Sequence, residues 1–461
     1  METLHIYHIN DLHSHFSNWP KAMKIIEDAR KKHANSYEQM LFFDIGDHVD
    51  RVHPMSEATL GKANVQLLNE AQVDGVTIGN NEGITLAFED LDALYEHANF
   101  PVIVANLFYT NDERPHWAKP YKIITTANGM KIGVTAVTAF FHKFYEILGW
   151  SLEDPFIALQ NVLFELRKQV DVIILLSHLG IHDDEKIAQA YPDVDVILGA
   201  HTHHILPEGK YIEDTLLCGA GKFGQYVGHV ELLLDYRTRS IVRKQAELID
   251  VQLAKEHKYT AQLLDSIAEK EMIHLNRKVA VLHEDLEVDW FDESPFALTL
   301  ASALKDWCNS DIGMINSGVL LESLSAGVVT WADVHKICPH PINPCTVDLR
   351  GDELKEVILH ANTKEVQELE VKGFGFRGKV MGRMVYSGVE WKYEVLSDGK
   401  EHIRNIKING EPLNMDKCYK VATIDMFTFG NLYPAIRHAT EKHFFMPEFL
   451  RDVLAWRLKR M

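Results

Sequence analysis

The amino-acid sequence predicts a mixed chain of the α/β to α+β class, in two domains, the first built on a mostly parallel sheet. Three observations carry this. At 461 residues the chain exceeds what one ordinary core supports. In its first half, short runs rich in Val and Ile alternate with stretches of helical periodicity, the pattern of strands covered on both faces by helices. Towards the C-terminus the composition changes, and longer strand patterns are separated by polar, glycine-containing turns.

Taken in order, the strand candidates of the first half are "LHIYHI", "MLFFDIG", "GVTIG", "PVIVAN", "KIGVTAV", "VDVIILLSH" and "VDVILGAH". Between them lie the helix candidates "WPKAMKIIEDARKKH", "KANVQLLNEA", "LAFEDLDALYEHA" and "DPFIALQNVLFELRK". In the last, Phe156, Leu159, Val162, Leu163 and Leu166 mark one face, and Ser151 is placed to cap the start. The charged helical pattern from about Lys255 to Arg277 reads as a bridge, giving domains 1–254 and 279–461 joined by a linker helix at 255–278. Beyond it, "RMVYSGVEWKYEVL" reads as a long strand, "SDGKE" and "INGEP" as turns, and "MPEFLRDVLAWRLKR" as a closing helix behind a Pro at its first turn.

Bulk properties exclude several classes. A hydrophobic content of 46% with 25% charged residues belongs to a globular chain, not a disordered one. A net charge of -19 opposes a nucleic-acid polymer as partner, because phosphate backbones would be repelled. No apolar run approaches the ~20 residues that cross a membrane, and "METLHIYHIND" lacks the basic and apolar regions of a signal peptide. The five cysteines are scattered, and the "CPHPINPC" pair matches no zinc-site spacing, so a reducing, cytoplasmic location is expected.

The ends of the strands hold the chemistry. After "LHIYHI" come Asp11 and His13; after "MLFFDI", Asp47; after "GVTI", Asn80; after "VIILL", His178; after "VDVIL", His201 and His203. In open α/β sheets the carboxyl ends of parallel strands form the ligand crevice, so five strands deliver N and O donors to one edge. Residues i and i+2 of an extended chain point the same way, which lets Asp11 and His13 share an ion. Gly46, Gly79 and Gly199 let the backbone approach closely. Seven donors exceed one tetrahedral ion and suit two divalent ions, with the Asp47 carboxylate as the candidate bridge. Two such ions make the site locally positive and attractive to phosphate. His5, His8 and His15 read as packed or surface histidines, and His204 as a support for its neighbours.

The motifs "DLH", "GD", "GNNE", "SHLG" and "GAHTH", in this order, resemble those of the calcineurin-like metallophosphoesterases. With the second domain, the chain resembles the 5'-nucleotidase family over essentially its whole length. The resemblance implies a four-layer αββα domain and a smaller α/β domain that grips a nucleoside. It implies one metal held by Asp11, His13, Asp47 and His203, and another by Asp47, Asn80, His178 and His201, the metal being Mn, Zn, Fe or Co. It further implies that a metal-bound hydroxide attacks phosphorus in line.

Departures from the family pattern are concentrated around the substrate. The family writes a histidine after the metal-binding asparagine and often an aspartate three residues later; here Asn81 and Ile84 stand there. Asn81 donates a hydrogen bond but cannot shuttle a proton, and His48, His53, His142 and His182 are the candidates for a replacement imidazole. In the second domain Asn316 is kept, Leu321 replaces an arginine, His340 takes the place of a base-stacking phenylalanine, and Tyr433 keeps an aromatic in a late loop. Arg377, Lys379 and Arg383, in a glycine-rich loop, are candidates to rebuild an anion site. The expected activity is hydrolysis of a small phosphate ester, nucleotide-related, without a protein nucleophile. The alternatives are a 2',3'-cyclic phosphodiesterase or nucleotide-sugar hydrolase and, in another class, a catalytically weakened binding protein.

Overall fold

In the computed structural model, residues 1–461 are described except 293, 372, 374, 396–400 and the side chain of 401, so the expected "SDGKE" turn lies outside the described residues. The chain divides into two compact units, Met1–Met272 and Ile273–Met461.

Alternation along the strands builds the first unit. In β1 (Glu2–Ile9), Leu4 and Ile6 face the core while Tyr7 faces α1 (Trp19–Ser36), where its hydroxyl meets His33. Parallel to β1 run β2 (Gln39–Asp44), β3 (Gly75–Val76), β4 (Val102–Ile103) and β5 (Ala118–Lys119). A second sheet contains β6 (Tyr121–Thr125), β7 (Lys131–Thr138), β8 (Val172–His178), β9 (Val196–Gly199), β10 (Lys210–Ile212) and β11 (Thr215–Gly219). Its strands β7, β8, β9 and β11 are parallel, with antiparallel edges. The hairpin β12 (Tyr226–Asp235) and β13 (Ser240–Asp250) returns to the first sheet beside β1. The orders are β13-β12-β1-β2-β3-β4-β5 and β10-β11-β9-β8-β7-β6.

Leu4, Ile6, Leu41 and Phe43 of the first sheet meet Val134, Ile174, Leu176 and Leu198 of the second in one core. The other face of the second sheet, with Ile173, Leu175 and Ile197, is covered by α2 (Pro155–Leu166) through Leu159, Leu163 and Leu166. Each such fully buried leucine contributes about 1.5–3 kcal/mol. Helix, sheet, sheet and helix form the four layers. The cap of α2 is Asp154, which accepts from the Phe156 and Ile157 amides. Ser151, expected there, lies instead in the short strand Trp150–Leu152, because Pro155 fixes the first turn one step beyond Asp154.

The charged helix α3 (Lys258–Glu271) belongs to the first unit. The Thr260 hydroxyl meets the Glu70 carboxylate at 3.1 Å, and the His257 amide donates to the Pro20 carbonyl. The second unit has a five-stranded sheet ordered Met384–Ser387, Ile312–Asn316, Cys418–Ile424, Pro344–Arg350 and Lys442–Phe444, packed by the helices Pro295–Trp307 and Gly351–Ala361, with Leu450–Leu458 against the first of these. The expected long strand is broken at Gly388, whose φ of +86° turns the chain out of this sheet. Val389–Val395 then pairs in a separate three-stranded sheet.

Candidate metal centre

The seven donors read from the strand ends gather on one rim of the first unit. Ligand-capable atoms of Asp11, His13 and His203 lie within 4.8 Å of one another, as do those of Asp47, His178 and His201. Each group draws on both sheets: Asp11, His13 and Asp47 follow β1 and β2, whereas His178 ends β8 and His201 and His203 follow β9. Asp47 stands between the groups, its Oδ2 at 3.4 Å from His178 Nε2 and 3.8 Å from His13 Nε2. His203 Nε2 lies 3.2 Å from His13 Nε2 and 3.4 Å from Asp11 Oδ1.

Convergence does not come from extended backbone. Asp11, His13, Asp47, His201 and His203 all have φ between 48° and 68°, the left-handed region, so the i, i+2 argument for Asp11 and His13 is replaced by a tight turn. The turns hold because their amides are tied down. The Asp11 amide donates to the Gly46 carbonyl and the His13 amide to the Asp47 carbonyl. Gly46 and Gly79 make this approach possible: a methyl group on Gly46 would lie 2.4 Å from the Gly79 nitrogen, and one on Gly79 2.0 Å from Asp47 Oδ1.

Supporting groups that the strand-end reading did not single out fix the donors. Glu82, buried, accepts from the amides of Asp47, Gly79 and Val49 at 3.0, 2.8 and 2.8 Å. Asp50 Oδ2 lies 3.3 Å from His13 Nδ1, and Asn10 donates to Asp11 Oδ2 at 2.8 Å. His178 Nδ1 donates to the Ile45 carbonyl at 2.7 Å, which aims Nε2 into the site. The Asp50 signal, an acid three residues after Asp47, was present in "GDHVD" but indistinguishable from an ordinary turn residue.

The electrostatics call for cations. Asp11, Asp44, Asp47, Asp50 and Glu82 are all buried here. Burial together with Asp47 pushes the Glu82 carboxyl up to about 7, against the pull of the Val49 and Gly79 amides. Burial opposes a charge on His178, yet Asp47 and Asp11 raise it to about 10, so a proton stands in for positive charge. His201 goes the other way, down to about 4, through burial and the neighbouring His178. The donor set fits divalent ions: His178 Nε2 and Asn80 Oδ1 are buried with no hydrogen-bond partner among the described residues, and both belong to the implied ligand set.

Asn81 lies against this centre. Its amide nitrogen donates to Asp47 Oδ1 at 2.7 Å, and its side-chain Nδ2 donates to Asp47 Oδ2 at 3.0 Å and lies 2.9 Å from His13 Nδ1. Two of the candidate replacement imidazoles are engaged elsewhere. His48 is buried with Nδ1 against Asn64, and His53 caps the helix Pro54–Thr59. His142 and His182 are exposed. Phe141, which the sequence did not single out, places its ring 5.9 Å from that of His201.

In the second unit the expected substrate residues separate. His340 is fully buried, its Nε2 donating to the Val319 carbonyl at 2.8 Å and its Nδ1 accepting from the Arg377 amide at 2.9 Å, with Phe376 stacked on it. That corrects the expectation of a base-stacking ring, since both ring nitrogens are used and neither face is open. Tyr433 is likewise interior, packed edge-on to Phe427 and His360. Asn316 is buried and donates to the Met381 carbonyl at 2.7 Å. Arg377 and Arg383 are partly exposed, Arg383 being 3.7 Å from Asp292.

Comparison with known proteins follows the same division. Residues 4–204 match the calcineurin-like phosphoesterase family and residues 276–436 the 5'-nucleotidase C-terminal domain. The chain is 51% identical to the metallophosphoesterase YunD of Bacillus subtilis (strain 168), itself described as uncharacterized, over 99% of both chains. It is 24% identical to a 5'-nucleotidase of Vibrio cholerae over 94% of this chain and 86% of that one. A likeness of fold links it to the crystal structure of a putative 5'-nucleotidase from Staphylococcus aureus, with a TM-score of 0.71 and 18% identity over 100% of this chain and 97% of the other. The chain belongs to the calcineurin-like metallophosphoesterases with a 5'-nucleotidase C-terminal domain, hydrolases of phosphate esters.

Proposed function

We propose that the protein is a two-metal phosphoesterase of 5'-nucleotidase type acting on a small, nucleotide-related phosphate ester. The observation that carries this is Asp47, set between two triads at 3.4 Å from His178 and 3.8 Å from His13. One ion would take Asp11, His13, Asp47 and His203, the other Asp47, Asn80, His178 and His201. When bound, such ions polarise the phosphoryl group and acidify a water.

The chain's own residues do the rest. Asp50 and Ile45 orient His13 and His178, and Glu82 gathers the amides that carry Asp47 and Gly79 into register. Asn81 offers an N–H to the phosphoryl oxygen, which is stabilisation by a neutral donor rather than proton transfer. Arg377 and Arg383 remain candidates for gripping substrate charge. Five cysteines without a disulfide support a cytoplasmic location. No helix of the described residues is long and apolar enough to cross a membrane.

A second reading is favoured by the amide at position 81 and by the engagement of His48 and His53 elsewhere. A substrate whose leaving group depends less on a proton donor in the site, such as a 2',3'-cyclic phosphodiester or a nucleotide sugar, suits this centre. The test is turnover of AMP, 2',3'-cyclic AMP, UDP-glucose and an aryl phosphate by protein loaded with Mn²⁺, beside Asp47→Ala. Faster turnover of the cyclic ester or the nucleotide sugar than of AMP selects the second reading. Absence of turnover on all four with full metal occupancy overturns both.

A further inference from the structure

A second cluster of histidines lies on the opposite face of the first sheet, away from the rim. Ring nitrogens of His5 (β1), His33 (α1) and His229 (β12) come within 4.8 Å of one another, and all three residues are buried. His5 precedes Asp11 by six residues, roughly 20 Å of extended strand at about 3.3 Å each, so this cluster is separate from the rim.

Its hydrogen bonds form two chains that end on one carboxylate. Glu247 Oε1 lies 2.8 Å from His229 Nδ1, and His229 Nε2 lies 3.0 Å from His5 Nδ1. Tyr7 Oη lies 3.0 Å from His33 Nε2. The far nitrogens, His5 Nε2 and His33 Nδ1, make no hydrogen bond among the described residues, yet face Glu38 Oε2 at 3.4 and 3.7 Å. Glu38 is held by the Ser36 hydroxyl at 2.6 Å.

Proton counting shows what is missing. A neutral imidazole carries one N–H. His229 must use its proton at Nδ1 to meet the Glu247 carboxylate, so its Nε2 accepts and His5 must donate from Nδ1. His5 Nε2 is then a bare lone pair facing a carboxylate. Exchanging the tautomers moves the conflict to Glu247 without removing it. One positive charge at the His5 Nε2–Glu38 contact satisfies every group. The distances agree with a metal. Bonds of about 2.0–2.2 Å in a tetrahedron separate ligand atoms by about 3.3–3.6 Å, close to the 3.4 and 3.7 Å found here and longer than a hydrogen bond of about 2.7–3.2 Å.

We propose that His5 Nε2, His33 Nδ1 and Glu38 Oε2 form a third divalent-cation site, of Zn²⁺ type, with His229–Glu247 and Tyr7 orienting the two imidazoles from behind. Two imidazoles and a carboxylate leave one position for water, the ligand number of an open zinc site. Glu38, about 35% exposed, admits the ion. The His5 and His33 rings stack at 3.7 Å, which brings Nε2 of one and Nδ1 of the other to the same carboxylate oxygen. The site joins β1, the end of α1 and the turn into β2, and so staples a helix to the sheet. It stands independently of the reading of the rim.

The test uses the full chain stripped by chelator, with Asp47→Asn and His178→Asn disabling the rim. Zn²⁺ is counted by equilibrium dialysis and Co²⁺ by visible absorption. One equivalent is expected to remain, and Glu38→Gln to weaken it at least tenfold; Glu38→Gln with His33→Gln should abolish it. In the otherwise wild-type chain, Glu38→Gln should bind one equivalent fewer and keep aryl-phosphate turnover within twofold. That comparison decides the matter if the rim variant does not fold. Equal Zn²⁺ stoichiometry and affinity in folded wild-type and Glu38→Gln/His33→Gln chains, checked by circular dichroism, overturns the proposal.

Discussion

Gly79→Ala probes how tightly the candidate centre is built. The new methyl carbon would lie 2.0 Å from Asp47 Oδ1, 2.6 Å from its Cγ and 2.6 Å from its amide nitrogen. Real contacts of this kind need about 3.0–3.4 Å, so Asp47 must retreat by about 1 Å, more than the ~0.5 Å that a productive constellation tolerates. A displacement of that size costs about 10²-fold in turnover, and crowding in a filled interior adds about 1–3 kcal/mol of instability. The assay is kcat/KM on an aryl phosphate at saturating Mn²⁺, with bound metal and the thermal midpoint measured in parallel. Gly75→Ala is the control, because its methyl group meets only side-chain atoms, the end of Ile103 at 3.3 Å and the Phe43 ring at 3.5 Å, so a shift of a few tenths of an ångström suffices. If Gly79→Ala keeps full metal occupancy and activity within twofold of wild type, the placement of Asp47 at the heart of the site is refuted.

Asn81→Ala removes the donor 3.0 Å from Asp47 Oδ2 and is expected to lower kcat by about 10–100-fold with metal content kept, read by steady-state kinetics with metal analysis. Glu82→Gln keeps one carbonyl oxygen but sets an NH₂ group against an amide donor. The loss is about 2–3 kcal/mol, seen as a fall of about 4–10 °C in the calorimetric midpoint. His178 supplies a pH dependence in chelator: its raised value, about 10 against the usual 6.5, gives stability fully present below pH 6.5 and lost as pH rises through 10. The metal-free midpoint should therefore fall from pH 7 to 10, and His178→Asn should flatten that slope. Asp154→Ala removes the cap of α2 and should cost about 1 kcal/mol in urea unfolding without changing activity.

Much of the first unit was legible because buried parallel strands announce themselves. "VDVIILLSH" and "KIGVTAV" are apolar on both faces, and the residue that ends the first, His178, lies in the candidate centre. The hairpin Tyr226–Asp250 was not read, since its second strand alternates weakly and lies at the sheet edge. Nor was Ser151 a cap: local preference cannot tell a capping serine from one in a short strand, whereas Asp154 before Pro155 was the better signal. The clustering of Asp11, His13, Asp47, His178, His201 and His203 was readable from their position after strands, but the left-handed backbone of five of them was not, because Asp and His carry no mark of that conformation. His340 misled for a different reason. Motif alignment places a residue in order along the chain, while burial depends on neighbours such as Val319 and Phe376 that order does not reveal.

That each triad draws donors from both stacked sheets has a bearing on how the enzyme matures. The clustered residues run from Asp11 to His203, so no short peptide cut from this chain could gather them around a metal, as a zinc finger does. The sandwich must close before a pocket exists, and loading follows as a late, separate event. A finished pocket of nitrogen and oxygen donors discriminates weakly among divalent first-row metals, so supply as much as preference would set which ion such a pocket takes.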